Sequence, residues 1–485
     1  MTAAFLGDDF LLTTGTARSL YHDAAARVPI VDPHTHLSAT EIADDRTYET
    51  LTELWLEDDH YKWRAMRSAG VDEALVTGAA DPWDRFCAWA STVPRLVRNP
   101  LYVWSHLELR RVFGIDLVLS PSTAREVWDE ANRQLPRFSA RRLLDHFGVE
   151  ALATTDDPGD DLDGHRRLKE ETGTTVVPTF RPDAAHRLLS DPRAWCSWAE
   201  RLGSAAAVEI EGLDTLLEAC TASYRRFQTM GGRASDHGIA VVPDRPRDQA
   251  LADAAIRRVR DGVVADPGGQ EAVALEVVNL AARLASDDDG VMQLHLGAHR
   301  DASPRLFGLL GPDAGGDVVG DARQVPGLAR LLGNLEGDGQ LPRTVLYNLN
   351  PADNVVFAAM AGTFSASGEV SLVQWGPPWW FNDHEAGVRH QLDNLSQVGQ
   401  LAGFVGMVAD SRSLLSFTRH ELFRRVLCDV LGRDVEEGRV PADRDLLLAV
   451  VLAVCGGNAA HRILAGRAPH RTTIEPSTRQ FGRPA

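Results

Sequence analysis

Lysine is nearly missing from this chain of 485 residues: only Lys62 and Lys169 occur, so arginine carries almost all the positive charge. Cysteine is scarce as well. Cys87, Cys196, Cys220, Cys428 and Cys455 are odd in number and no two are spaced as CxxC, which argues against a disulfide framework or a structural zinc knuckle. An excess of positive charge is absent. The net charge of −18 disfavours a nucleic-acid partner, which calls for a basic footprint. The start "MTAAFLGDDF" has neither a basic segment nor a long apolar run, so no signal peptide is expected. The late apolar stretch "LLLAVVLAVC" (446–455) is about half the roughly 20 residues that span a bilayer. These absences lead us to expect a reduced, cytoplasmic protein with no membrane or nucleic-acid partner, and leave a homo-oligomer open.

What is present is ordinary globular composition, 44% hydrophobic and 24% charged. The length would allow about three domains of ordinary size, but α/β barrels often run longer as one unit. Eight short apolar runs recur, most of them ending in polar or turn residues: 28–31, 149–155, 174–180, 239–243, 291–296, 344–349, 371–375 and 404–409. Several are rich in valine, as buried parallel strands are. Helix-like stretches separate them, and strand–helix alternation points to a parallel sheet. Eight units suggest a distorted (β/α)8 barrel of the TIM type, with its active site at the C-terminal ends of the strands. An open doubly wound sheet is the alternative. We expect one domain over residues 1–465, with a helical insertion over about residues 40–145 after the first strand and a flexible tail at 466–485. The fourth strand is either "IAVVP" (239–243) or ends earlier, at Asp236 and His237.

Histidine supplies the chemistry. The first run leads into "DPHTH", and successive strand residues face opposite sides, so His34 and His36 share a face. Imidazole suits zinc and similar divalent ions. Paired histidines also occur in loops, and His295, alone, reads as a core histidine. Asp410, alone, reads as a helix N-cap. In a closed barrel, however, strands eight and one are neighbours, and His34, His36, His295 and Asp410 then form a set around one divalent ion, with zinc expected. Some barrel hydrolases bridge two metals with a modified lysine from an inner strand. Neither lysine here lies on a predicted strand, so one ion is the better reading.

The segments "DPHTHL", "DDHYKWRAMR", "NPLYVWSHLELRRVFGI", "TTDDP", "SDHG", "MQLHLGAHRD", "WWFND" and "GMVADSRSLLSFTRHELFRR" resemble, in order, the uronate (glucuronate) isomerase family of the amidohydrolase superfamily. His299 departs from an expected apolar residue, and Pro377 and Pro378 stand where small residues are usual. The resemblance implies aldose–ketose isomerisation of hexuronates, D-glucuronate to D-fructuronate and D-galacturonate to D-tagaturonate, in hexuronate catabolism. It implies Asp410, Arg412, Tyr61 and His60 as catalytic residues, and Arg181, Arg300, Trp379 and Trp380 against the substrate. Asp236 and His237 are weaker candidates. A metal-dependent hydrolase or lactonase on the same scaffold and a non-catalytic sugar-acid-binding protein are the rival readings.

Overall fold

Parallel pairing dominates the computed structural model, which describes residues 4–171 and 173–462. The predicted tail at 466–485 lies outside the described residues. One sheet carries β1 (Ile30–Asp32), β2 (Val149–Ala153) and β3 (Thr175–Val177) in that order. A second carries β4 (Ala234–Ile239), β5 (Val291–Leu296), β8 (Arg343–Asn348) and β9 (Val373–Trp375). Between β5 and β8 lies an antiparallel hairpin, β6 (Ala298–His299) with β7 (Val318–Val319). Phe180, just past β3, bridges to Ser235 in β4, and its amide donates to the Ala234 carbonyl (3.0 Å). The two sheets therefore meet at Phe180.

All six residues of β5 are buried, as expected of a strand covered on both faces. Met292, Leu294 and Leu296 pack in the main hydrophobic core, while Gln293 and His295 point the other way. Gln293 accepts from the Tyr347 hydroxyl (2.6 Å) and donates to the Pro33 carbonyl beyond β1 (3.4 Å).

One predicted strand stands open between two positions, and another needs correction. Of the two positions open for the fourth strand, the earlier one is nearer: β4 runs through Asp236 and His237 and ends at Ile239, with Asp236 turned to His34 and His295 and His237 sharing the face of Ser235. The run 404–409 forms no strand ladder. Gly406 (φ +88°) and Asp410 (φ +45°) break the extended backbone, and the Ala409 amide donates to the Asp32 carboxylate (2.9 Å) instead of to a neighbouring strand. The run still lies beside the end of β1, with the Asp410 amide donating to the His34 carbonyl (3.2 Å) and the His36 amide to the Ser411 carbonyl (3.0 Å).

Between β1 and β2 the chain is helical, from Ala39–Ala43 to Ala140–Phe147. Local signals set the helix starts: Asp81 and Asn99 cap helices that open on Pro82 and Pro100. Trp55, Phe86, Trp89 and Trp104 form a core shared with Ile30, Val149 and Leu152, which seats these helices on the first sheet. Late in the chain, the helical stretch Arg444–His461 extends beyond the apolar ten residues and is long and apolar enough to cross a membrane by length and composition. Its Leu447, Val451, Val454 and Cys455 are buried in the main core.

Candidate active site

At the carboxyl edge of these strands the floor of a cavity is built from imidazole and carboxylate. β1 ends at Asp32, whose carboxylate accepts from the His34 amide (3.2 Å) and the Ala409 amide (2.9 Å) and lies 3.0 Å from His420 Nε2. That one buried group fixes the His34 turn, the Asp410 segment and the following helix Thr418–Glu436 in a common frame. As a result, His34 Nε2 lies 3.1 Å and His36 Nε2 3.2 Å from Asp410 Oδ1. A tetrahedral ion with bonds of about 2.0–2.1 Å sets its ligand atoms roughly 3.3 Å apart, which both nitrogen-to-carboxylate distances match, and the ligand atoms of the three residues all lie within 4.8 Å of one another.

His295 enters differently from the expectation. It joins His34 and Asp236 in a second, overlapping cluster, while His34, His36 and Asp410 form the first. His295 Nδ1 is 2.6 Å from Asp236 Oδ1, its ring stacks on Tyr347, and its Nε2 is buried with no hydrogen-bond partner. His34 Nδ1 is likewise unpartnered. The donor types, their spacing and these open nitrogens fit a divalent ion. Asp410 is not the N-cap of the following helical run: Ser413 caps Leu414–Phe417. Neither lysine lies on a strand. Lys62 pairs with Asp59 (2.5 Å), and Lys169 donates to the Thr229 carbonyl (2.6 Å).

Charge in the floor is strongly coupled. Burial alone would raise Asp410, but hydrogen bonds from His34 and His36 outweigh it and hold the carboxyl well below its usual range. Burial lowers His36 to about 4. It would lower His34 too, but Asp236 and Asp410 reverse the direction. Asp236 is held low against burial, chiefly by Arg181.

The rim comes from other elements. Asp59 caps the helix His60–Ser68, which presents His60 and Tyr61. Their rings stack at 4.8 Å, and Trp380 meets His60 edge-on at 5.5 Å. His60 Nδ1 is 3.2 Å from an Arg412 nitrogen. Burial, and then Asp410, pushes the Tyr61 hydroxyl well above its usual value, so it is protonated at neutral pH. The Trp379 indole N–H donates to Asp410 Oδ2 (2.8 Å). Arg300 lies over Trp380 (4.9 Å). Arg181 is ion-paired to Asp183 (3.0 Å) and Asp236 (3.1 Å), so two buried carboxylates already match its charge.

All eleven residues singled out from the sequence line one cavity of about 240 Å³: His34, His36, His60, Tyr61, Arg181, His295, Arg300, Trp379, Trp380, Asp410 and Arg412. Of the weaker candidates, Asp236 sits beneath it, His237 is buried beside Ser235 (3.3 Å), and His299 is exposed on β6. Sequence reasoning missed Asp32 and Asp313. Asp32 stands in "DPHTH", where an Asp-Pro pair reads as a plain turn.

Fold and site together define an enzyme of the parallel α/β class whose pocket combines a metal-ready floor with a cationic rim. The glucuronate isomerase family model matches residues 2–462, and the chain belongs to that family. It is similar to the uronate isomerase of Vibrio vulnificus strain YJ016, with 46% identity over 463 residues covering 94% of this chain and 98% of that one. The Salmonella arizonae uronate isomerase is 44% identical over 465 residues, with the same two coverages. Among solved structures, uronate isomerase from Thermotoga maritima superposes with a TM-score of 0.89 at 36% identity, covering 95% of this chain and 100% of that one. Glucuronate isomerase from Caulobacter crescentus gives 0.88 at 26% identity, covering 96% and 98%.

Proposed function

We propose that this protein interconverts aldo- and ketohexuronates, D-glucuronate with D-fructuronate and D-galacturonate with D-tagaturonate, as a cytoplasmic catabolic enzyme. The observation that carries the reading is the convergence, in one cavity, of the His34–His36–Asp410 cluster, the guanidinium groups of Arg300 and Arg412, and the neutral phenol of Tyr61. A sugar acid needs cations at its carboxylate, and an aldose–ketose shift needs groups that move protons at C1 and C2.

We read the architecture as a distorted (β/α)8 barrel of the amidohydrolase type, forming one domain with the helical insertion over its mouth. Phe180 joining the two sheets, Gln293 reaching Pro33, and the 404–411 run lying beside β1 support closure. His34, His36 and Asp410 would hold one divalent ion, with His295 and Asp236 completing its surroundings; a set of three nitrogen and oxygen donors favours zinc. Such an ion, when bound, polarises a carbonyl oxygen and orients neighbouring oxygens.

The chain's own residues do the rest. Asp410 takes the proton of the C1 hydroxyl as the bond from C1 to the ring oxygen breaks, and passes it to that oxygen. Tyr61, neutral by burial, donates towards O1 as the carbonyl is lost. The C2 proton is carried to C1 and the O2 proton returns to Tyr61, with Arg412 mediating the transfer and stabilising the negative charge that develops between C1 and C2, and His60 contacts the substrate beside it. Arg300 and Arg181 hold the anionic end, with Trp379 and Trp380 bounding the sugar. The test is incubation of the purified protein with each hexuronate, following ketose formation. Opening of a sugar lactone without any ketouronate would replace this reading with a hydrolase, and uronate binding without turnover would replace it with a binding protein.

A further inference from the structure

We propose that Asp313 is a resident counter-anion that occupies the place of the substrate carboxylate and is displaced by it. The inference rests on the uronate reading above. Asp313 Oδ2 lies 3.3 Å from Arg412 and Oδ1 3.4 Å from Arg300, so one carboxylate spans both rim guanidiniums. Both separations exceed the roughly 2.7–2.9 Å of a well-formed charged pair. The side chain is 44% exposed. No other hydrogen bond to its carboxylate is formed among the described residues.

The contrast with Asp317 on the same loop is instructive. Its side chain is 2% exposed, pairs with Arg300 at 3.0 Å and accepts from the Asp301 amide at 2.7 Å. Asp317 is a built-in partner that leaves Arg300 positioned. Arg412, in turn, has Asp313 as its carboxylate partner among the described residues. The loop backbone is anchored independently, through Arg64 to the Asp317 carbonyl (2.7 Å) and Arg67 to the Ala314 carbonyl. Rotation of one side chain therefore vacates the position without loop opening. Asp313 keeps the rim neutral before substrate arrives. A neutral aldose that displaced it would leave the Arg412 guanidinium unmatched, Arg300 keeping Asp317, whereas a uronate brings its own carboxylate. Asp313 thus trades some uronate affinity for selectivity.

Steady-state kinetics with D-glucuronate on the metal-loaded protein test this. Asp313→Asn should lower KM at least threefold and tighten competitive inhibition by D-gluconate to a similar degree. Asp58→Asn, at an exposed carboxylate lining the same cavity, controls for the general field and should change KM less than twofold. An unchanged or higher KM in Asp313→Asn overturns the inference, because a carboxylate that binds substrate hydroxyls would act that way. Equal effects in the two variants overturn it too. Asp313→Ala should match Asp313→Asn and serves if the amide finds new partners. Wild-type protein that neither binds nor converts D-glucuronate removes the functional reading itself. Wild-type conversion without the Asp313 effect removes only this inference.

Discussion

Floor and rim of the cavity are made in opposite ways. The floor gathers short residues at the ends of β1, β4 and β5 and on the 404–411 run, where exposure is 1% for the His34 side chain and 11% for Asp410. The rim gathers long side chains from an inserted helix and from loops, with Arg412 32% exposed. Floor positions are fixed by backbone and buried carboxylates such as Asp32. Rim positions are fixed by ion pairs that a charged ligand can exchange. Changes in the floor should therefore act on the chemical step and changes at the exchangeable ion pairs of the rim on affinity, with Tyr61, a rim group whose hydroxyl burial keeps protonated, siding with the floor.

Asp410→Asn is the largest expected break. It removes the charge shared by His34 and His36, and kcat should fall by about 10²–10⁴-fold, the range of a lost general acid–base group. Circular dichroism should show a folded protein. Near-normal turnover would detach Asp410 from the mechanism. Tyr61→Phe keeps the stacking on His60 and loses only the hydroxyl, so kcat should drop by at least about tenfold, towards the lower end of the same range, with little change in KM. A pure KM effect would move Tyr61 from proton transfer to binding.

Arg181 sharpens the comparison because it faces the cavity yet is bound into the floor. Arg181→Met leaves Asp183 and Asp236 uncompensated, and removing one partner of a buried pair costs about 3–5 kcal/mol. Thermal unfolding should shift down markedly, and KM should rise. A raised KM at unchanged stability would show that the guanidinium serves the substrate alone. Arg300→Gln is the mildest: a several-fold rise in KM with a smaller loss of stability than Arg181→Met, since Arg300 is 28% exposed and its buried partner Asp317 keeps the Asp301 amide. A collapse of kcat instead would place Arg300 with the floor.

The same division explains what the sequence revealed. His34 and His36 were legible because an i, i+2 pair at the end of an apolar run shares a face, and His295 because it sits inside the unmistakable run "VMQLHL". Asp410 was legible by its place after the last apolar run. β4 was legible only as one of two positions because "ASDHGI" is polar, its Asp236 serving the site rather than packing. The 404–409 run looked like a strand, but nothing local announces that Asp32, hundreds of residues away, captures the Ala409 amide. Asp313 was invisible for a related reason. Its partners, Arg300 and Arg412, are set by the fold, and an aspartate between Gly311 and Gly315 reads as an ordinary turn.

The most direct measurement follows ketouronate formation from D-glucuronate by proton NMR, with protein stripped of metal and then reloaded with one equivalent of zinc. The account predicts negligible conversion by stripped wild-type protein, recovery on reloading, and no recovery in reloaded Asp410→Asn. Equal conversion by stripped and reloaded wild-type protein, or none by either, would contradict it.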